Sequence, residues 1–356
     1  MTAPRYDELI VHVGQHKTGT THIQNALSSN ADYLLSHGLF YPVPREGVSG
    51  HHSLVRQFRS STDDKLKKPF FGEQGDDARI LSALETQTGA RVAILSSEAL
   101  LPHFGANIEK MRALDDRLRS LARKVRYVGY VRDPVSRYPS VCSQTLMNSS
   151  VIPLRDWALN AKHLIKLRTE IGSRLEIRRY DRSAFPGGDV LEDFLGSVLR
   201  TDIRATDLTV ETSGSNVSLS GEGMFLVQSI AIIRQLADPK MAPTYDEETR
   251  AMAQLIRRID SSQEDHAGAR LLPGTADVIL AAVADDLAQL VEIFGADLIR
   301  RASTVSKRTD SGFRLVRSFF QVDPERTVRL AELVRSHPRC SKALADLLGR
   351  VQMPST

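Results

Sequence analysis

Leu9-Ile10-Val11-His12-Val13-Gly14 runs directly into Gln15-His16-Lys17-Thr18-Gly19-Thr20-Thr21. The first stretch is almost wholly apolar, as a strand covered on both faces of a parallel sheet is. The next holds one lysine, three threonines and Gly19, and helical spacing begins at once after it. Strand, glycine-bearing turn and helix start, in that order, offer an anion unpaired backbone N–H groups and the positive end of a helix dipole. Gly14 and Gly19 let the backbone wrap closely, Lys17 supplies a point charge, and Thr18, Thr20 and Thr21 supply hydroxyls. An ordinary threonine-rich helix start explains part of this stretch, but not the lysine and both glycines behind a buried strand.

Working outward, similar apolar runs occur at Arg91–Ser96 (RVAILS) and Val125–Val131 (VRYVGYV), and a more polar one, read as lying towards an edge, at Arg174–Tyr180. Helical patterns are read at about 19–36, 107–123, 134–148, 153–171 and 187–199. This alternation predicts an α/β fold: a three-layer, P-loop-type parallel sheet flanked by helices, with a mostly helical C-terminal part. The segment 38–80 is weakly periodic and reads as a long loop, of the kind that carries function or disorder. Beyond 200, helices are expected at 218–236, 246–261 and 275–295, and after a polar linker near 301–312, at 324–336 and 338–350. The expected organisation is therefore a domain over 1–300 and a basic helical extension over 301–356.

Composition narrows the classes. The 356 residues are 41% hydrophobic and 25% charged, an ordinary globular balance. Two cysteines, Cys142 and Cys340, cannot build a disulfide framework or a four-cysteine zinc site, and no metal is expected. MTAPRYDELIVHVG lacks the pattern of a signal peptide, no run approaches membrane-span length, and a cytoplasmic location is expected. The net charge is +4, yet residues 301–356 alone carry eleven Lys/Arg against five Asp/Glu. A nearly neutral body excludes a nucleic-acid-binding domain as the leading class. The basic tail is read as solvated helix surface, or as a peripheral contact for an anionic surface.

The spacing inside the loop is informative. The nucleoside-triphosphate pattern GxxxxGK[ST] puts its lysine after the second glycine, with a hydroxyl beside it for magnesium. Here Lys17 precedes Gly19 and no such step occurs. That arrangement resembles the sulfotransferase family, whose first phosphate loop reads PKTGTT or HKTGTT. The family's second signature follows a strand as RDPxxRxxxS, and about 115 residues on this chain has Arg132-Asp133-Pro134-Val135-Ser136-Arg137-Tyr138-Pro139-Ser140. The same residues also read simply as a proline-started helix. Between the motifs, RVAILSSEALLPHF places Glu98 and Phe104 where the polysaccharide-modifying branch has its glutamate base and an aromatic. Ala99 departs from that branch, which has a lysine there. His51-His52 are the competing base candidates, since other branches use histidine. Asp193-Phe194-Leu195-Gly196 matches a structural segment of the family.

The resemblance implies transfer of a sulfuryl group from 3′-phosphoadenosine 5′-phosphosulfate to a hydroxyl, on a carbohydrate or glycolipid. It implies that His16, Lys17, Thr18, Gly19, Thr20 and Thr21 hold the 5′-phosphosulfate, and that Arg132 and Ser140 hold the 3′-phosphate. Glu98, Lys17 and His52 are the implied catalytic set. A kinase using ATP and magnesium, or a non-catalytic nucleotide-binding scaffold, are the alternative readings.

Overall fold

The run that opens the chain becomes the middle strand of a five-stranded sheet in which every strand is parallel, in the order β2-β3-β1-β4-β5. The structure, a computed structural model, describes residues 3–59, 71–154, 161–210, 217–238, 245–295 and 315–352. The strands are β1 (Tyr6–His12), β2 (Leu39–Phe40), β3 (Val92–Ser96), β4 (Ala122–Arg132) and β5 (Leu175–Tyr180). The helices of the first half are α1 (Thr20–Ser29), α2 (Ala31–Ser36), α3 (Asp76–Thr86), α4 (Leu100–Ala106), α5 (Ile108–Leu121), α6 (Pro134–Leu146) and α7 (Ala161–Ile171). They are followed by the single turn α8 (Val190–Asp193), α9 (Gly221–Ala237), α10 (Glu247–Ser261), α11 (Thr275–Ala282), α12 (Ala284–Phe294), α13 (Pro324–Ser336) and α14 (Lys342–Arg350).

The expected α/β class and parallel sheet are present, with helices on both faces. Alternation along the strands assigns the faces. Ile10, Ile94, Val128 and Tyr130 share one core with Ile23 and Leu27 of α1 and with Phe194. On the other face Tyr127 meets Phe104 of α4 edge-on, and its hydroxyl donates to Asp115 of α5 at 2.9 Å. The more polar fourth run is indeed the edge strand β5. Asp193 is structural: it accepts from the Tyr130 hydroxyl at 2.6 Å and pairs with the Arg178 fork. Burial alone would raise the Asp193 carboxyl, but these hydrogen bonds outweigh it and hold it below its ordinary value.

Several boundaries differ from the sequence reading. The helix expected over 19–36 breaks at Asn30, whose amide donates to the Ala26 carbonyl and to the Thr209 carbonyl, at 2.7 and 2.8 Å. A side chain that competes for helix carbonyls is a good place for a helix to end. The helix expected over 275–295 breaks at Val283, at φ −118°. Segment 38–80 is less irregular than expected, containing β2, a 3₁₀ turn at His52–Phe58 and the start of α3. The first part of the helix expected at 153–171 lies at 155–160, outside the described residues.

The domain division also needs correction. The chain forms two compact units, one of Met1–Asp133, Leu159–Thr212 and Asp285–Arg301, the other of Pro134–Ala158, Ser213–Ala284 and Ala302–Thr356. Within 301–356, the described residues 315–352 pack into the second unit instead of standing apart from it. Leu330 and Val334 of α13 and Leu344 and Leu348 of α14 share the second unit's core with Met224, Leu226 and Ile230 of α9. Arg326 ties the charge of this segment inward. Its guanidinium pairs with Glu222, with fully buried Asp260 at 3.1 Å and with Asp265 at 3.3 Å. Asp260 also accepts from the Ser220 backbone N–H at 2.7 Å and its hydroxyl at 2.9 Å.

Removing one partner of a buried ion pair strands the other charge, at a cost of about 3–5 kcal/mol. Arg326→Ala is expected to lose that much in urea unfolding. Arg329→Ala, whose side chain is 57% exposed beside Asp265, is expected to lose at most about 1 kcal/mol. Equal, small losses for both would show that the cluster is solvated.

Candidate functional site

The site is built at the carboxyl ends of β3, β1 and β4, on the strand around which the sheet order reverses, where open α/β sheets hold their ligands. The loop leaving β1 is tightly constrained. Lys17 and Gly19 both take left-handed backbone conformations, at φ 69° and 77°. Only glycine adopts this region without cost, so Lys17 is held in a strained position that its surroundings must enforce. At Gly19 a Cβ would also stand 2.6 Å from Val190 Cγ1. At Gly14 the backbone angle is ordinary, but a Cβ would lie 2.8 Å from both His12 Nε2 and Thr20 Oγ1. Gly19 caps α1 without any side-chain hydrogen bond, leaving the first N–H groups of that helix to other partners.

The three threonines are not equivalent. Thr18 is fully buried and donates its hydroxyl to the Gln15 carbonyl at 2.5 Å. In this structure that hydroxyl staples the loop. Thr20 begins α1, and its buried Oγ1 has no hydrogen-bond partner. Thr21 is exposed.

Arg132, the last residue of β4, is joined to this loop. Its backbone N–H donates to Gln15 Oε1 at 3.3 Å, and its guanidinium donates to the Lys17 carbonyl at 3.4 Å. The guanidinium lies over the Tyr180 ring, 5.4 Å from its centre, a cation–π contact. Burial lowers the Arg132 pKa below its ordinary value, and Arg182 adds to that effect. Ser140 is carried by α6 in the second unit, its Oγ 3.3 Å from Ser218 Oγ. Ser220, and not Ser218, caps α9, accepting from the Gly223 N–H at 3.0 Å.

Glu98 stands in the turn between β3 and α4, and is 7% exposed. Gln24 of α1 donates to its Oε2 at 3.1 Å and to the Ser96 carbonyl at 3.2 Å. His16 Nδ1 lies 3.9 Å from Oε1, and His52 Nδ1 lies 3.8 Å from Oε2. The structure therefore brings His16, Glu98 and His52 together beside the loop that carries Lys17. Sequence reasoning missed Gln15 and Gln24. The signal for Gln24 was present, since a polar residue occurs among the inward positions Ile23, Ala26 and Leu27.

The two histidines at 51–52 separate in role. His51 accepts the Ser96 N–H at Nδ1, 2.9 Å, and so carries its proton on Nε2, which donates to the Pro42 carbonyl at 2.6 Å. Both nitrogens serve the backbone, and His51 is excluded as a base. His52 is partly open and its Nδ1 meets the Ser97 hydroxyl at 3.0 Å. Burial lowers both, each to a pKa of about 4, and His12 to about 3. His52 is therefore neutral near pH 7.

These shifts make stability depend on pH. The folded histidines stay neutral down to pH 3–4, whereas unfolded ones protonate near pH 6.5. Below about pH 6.5 the unfolded chain binds more protons, so stability falls with pH, by up to about 1.4 kcal/mol per unit for each histidine. Urea titrations between pH 7.5 and 4.5 should show a steep decline beginning near 6.5. They should also show uptake of about three protons on unfolding at pH 5.5, one for each of these residues. A flat profile would mean that the imidazoles are solvated.

No family model, no curated protein and no solved structure matches this chain. Among the described residues no group of His, Cys, Asp and Glu could hold a metal ion, and no helix is long and apolar enough to cross a membrane.

Proposed function

We propose that this chain transfers a sulfuryl group from 3′-phosphoadenosine 5′-phosphosulfate to a hydroxyl of a saccharide or glycolipid acceptor. The observation that carries the reading is the convergence of one cationic loop, one buried carboxylate and one arginine at the ends of three adjacent strands. The loop fits an anion: Thr20 Oγ1 is buried with no partner, and Gly14 and Gly19 leave no space that a Cβ could fill. The absence of a lysine–hydroxyl pair after Gly19 removes the usual magnesium ligand of triphosphate loops.

When bound, the donor supplies a sulfuryl group on its 5′-phosphate. The backbone N–H groups at the start of α1 and the Thr20 hydroxyl bind that phosphate. Lys17, the single lysine or arginine of residues 14–21, balances negative charge where the leaving oxygen forms. Arg132 binds the 3′-phosphate, held in place by the Lys17 carbonyl and the Tyr180 ring. The part of Ser140 rests on the resemblance alone. Glu98 takes the acceptor's proton, its Oε2 fixed by Gln24 and its Oε1 turned towards His16. A positioned base and a preorganised cation supply most of what such a displacement requires.

Calorimetric titration in parallel with adenosine 3′,5′-bisphosphate and ATP·Mg²⁺ tests the reading. The bisphosphate is expected to bind more tightly, and Arg132→Ala to weaken it far more than adenosine 5′-monophosphate. Preference for ATP·Mg²⁺ would overturn the assignment.

Turnover tests the chemistry. Lys17→Ala is expected to slow sulfate transfer roughly 10²–10³-fold. Glu98→Gln should slow it roughly 10²–10⁴-fold with nucleotide affinity unchanged, and His52→Ala much less. An active Glu98→Gln beside an inactive His52→Ala would reverse the base assignment.

A further inference from the structure

The second unit contains a cavity that plays no part in the site above. It measures about 340 Å³ and lies along α9, where Phe225, Ile232, Ile233 and Leu236 form one wall and Leu315 and Val351 the other. That volume is within the range of small-molecule sites. Gln228 closes part of the lining: its Oε1 accepts the Val316 N–H at 2.7 Å and its Nε2 donates to the Ser150 carbonyl at 2.9 Å. Leu236 is 77% exposed, unusually open for a leucine beside an apolar cavity. Two further lining residues, Arg317 and Arg350, are exposed cations, and the lining includes no Asp or Glu. Neither arginine pairs with a carboxylate among the described residues, unlike Arg326 and Arg234 of the same unit.

We propose that this cavity binds a single-chain amphiphile with an anionic head, its alkyl chain along α9 and its head against Arg317 and Arg350. Phe225 and five aliphatic side chains give an alkyl chain a surface to bury against, while Ser229, Gln352 and the two arginines supply polar groups for its head. At about 30 Å³ for a water-sized unit, the space takes roughly ten methylene-sized groups. The two arginines choose the sign of the head, since a planar guanidinium suits carboxylate, sulfate and phosphate alike. The same head chemistry occurs on free fatty acids and on anionic bilayer lipids, and the cavity's size selects a single chain.

The full chain is titrated calorimetrically with dodecanoate, dodecyltrimethylammonium and dodecyl maltoside, each below its micelle concentration. One saturable site for dodecanoate is expected, at least tenfold tighter than for the cationic amphiphile. Charge inversion with Arg317→Glu and Arg350→Glu should reverse that order, a result that misfolding cannot produce. Ile232→Trp, filling the cavity, should remove binding of every chain, with circular dichroism confirming a folded protein. Absence of saturable dodecanoate binding, or equal affinity for both head charges in the unaltered protein, would overturn the proposal. Sedimentation with phosphatidylglycerol vesicles separates the sources: binding to vesicles without binding of monomeric dodecanoate would also overturn it, as simple surface adsorption.

Discussion

A single methyl group at position 14 would meet His12 Nε2 and Thr20 Oγ1 at 2.8 Å each, and that crowding fixes how the chain leaves its central strand. The turn must pass against the histidine and straight into α1. Because Gly19 caps that helix in a left-handed conformation with no side chain to satisfy it, the first N–H groups remain to be used. The cost is visible in Lys17, a non-glycine residue at φ 69°. Strain of this kind persists where surrounding structure over-determines it, and here the Thr18–Gln15 staple and the Arg132 hydrogen bond to the Lys17 carbonyl do so.

Three histidines near the loop are kept neutral by burial. His12, His51 and His52 are all held well below their ordinary pKa by burial, so they add no positive charge around Glu98 at neutral pH. The carboxylate is stabilised by a neutral amide from Gln24 instead of by an ion pair with lysine or arginine. The amide donor fixes the orientation of that carboxylate.

The sheet and the loop were legible because they depend on local pattern. Buried strands read as apolar runs, and the glycines, lysine and threonines occur within a few residues of one another. What could not be read depends on contacts distant in sequence. β2 is two residues long and exists by pairing with β3. α4 contains Pro102 and Gly105, which argue against a helix, yet Pro102 falls in its first turn where proline is tolerated. The loss of His51 as a base was equally invisible, since it depends on the Pro42 carbonyl and the Ser96 N–H. Thr18 and Thr20 are two residues apart and of one type. Only the fold distinguishes the hydroxyl turned inward from the one left without a partner.

Charge counting shows the same limit on a larger scale. The excess of basic residues after position 301 reads as an appended cationic tail, but a net charge says nothing about where each charge is placed. Arg326 pairs with two buried carboxylates of the second unit, Glu222 and Asp260, and with the exposed Asp265, and the apolar faces of α13 and α14 complete that unit's core. The segment is therefore part of the fold itself. Arginines with a buried partner fasten helices together, while Arg317 and Arg350, which line a mainly apolar cavity, pair with no carboxylate among the described residues and are free, on the reading proposed above, to meet an outside anion. The distinction lies in solvation and pairing. A cation already balanced by a carboxylate has little left to offer a ligand, whereas one at the mouth of an apolar cavity gains from an anion brought there by its hydrocarbon chain.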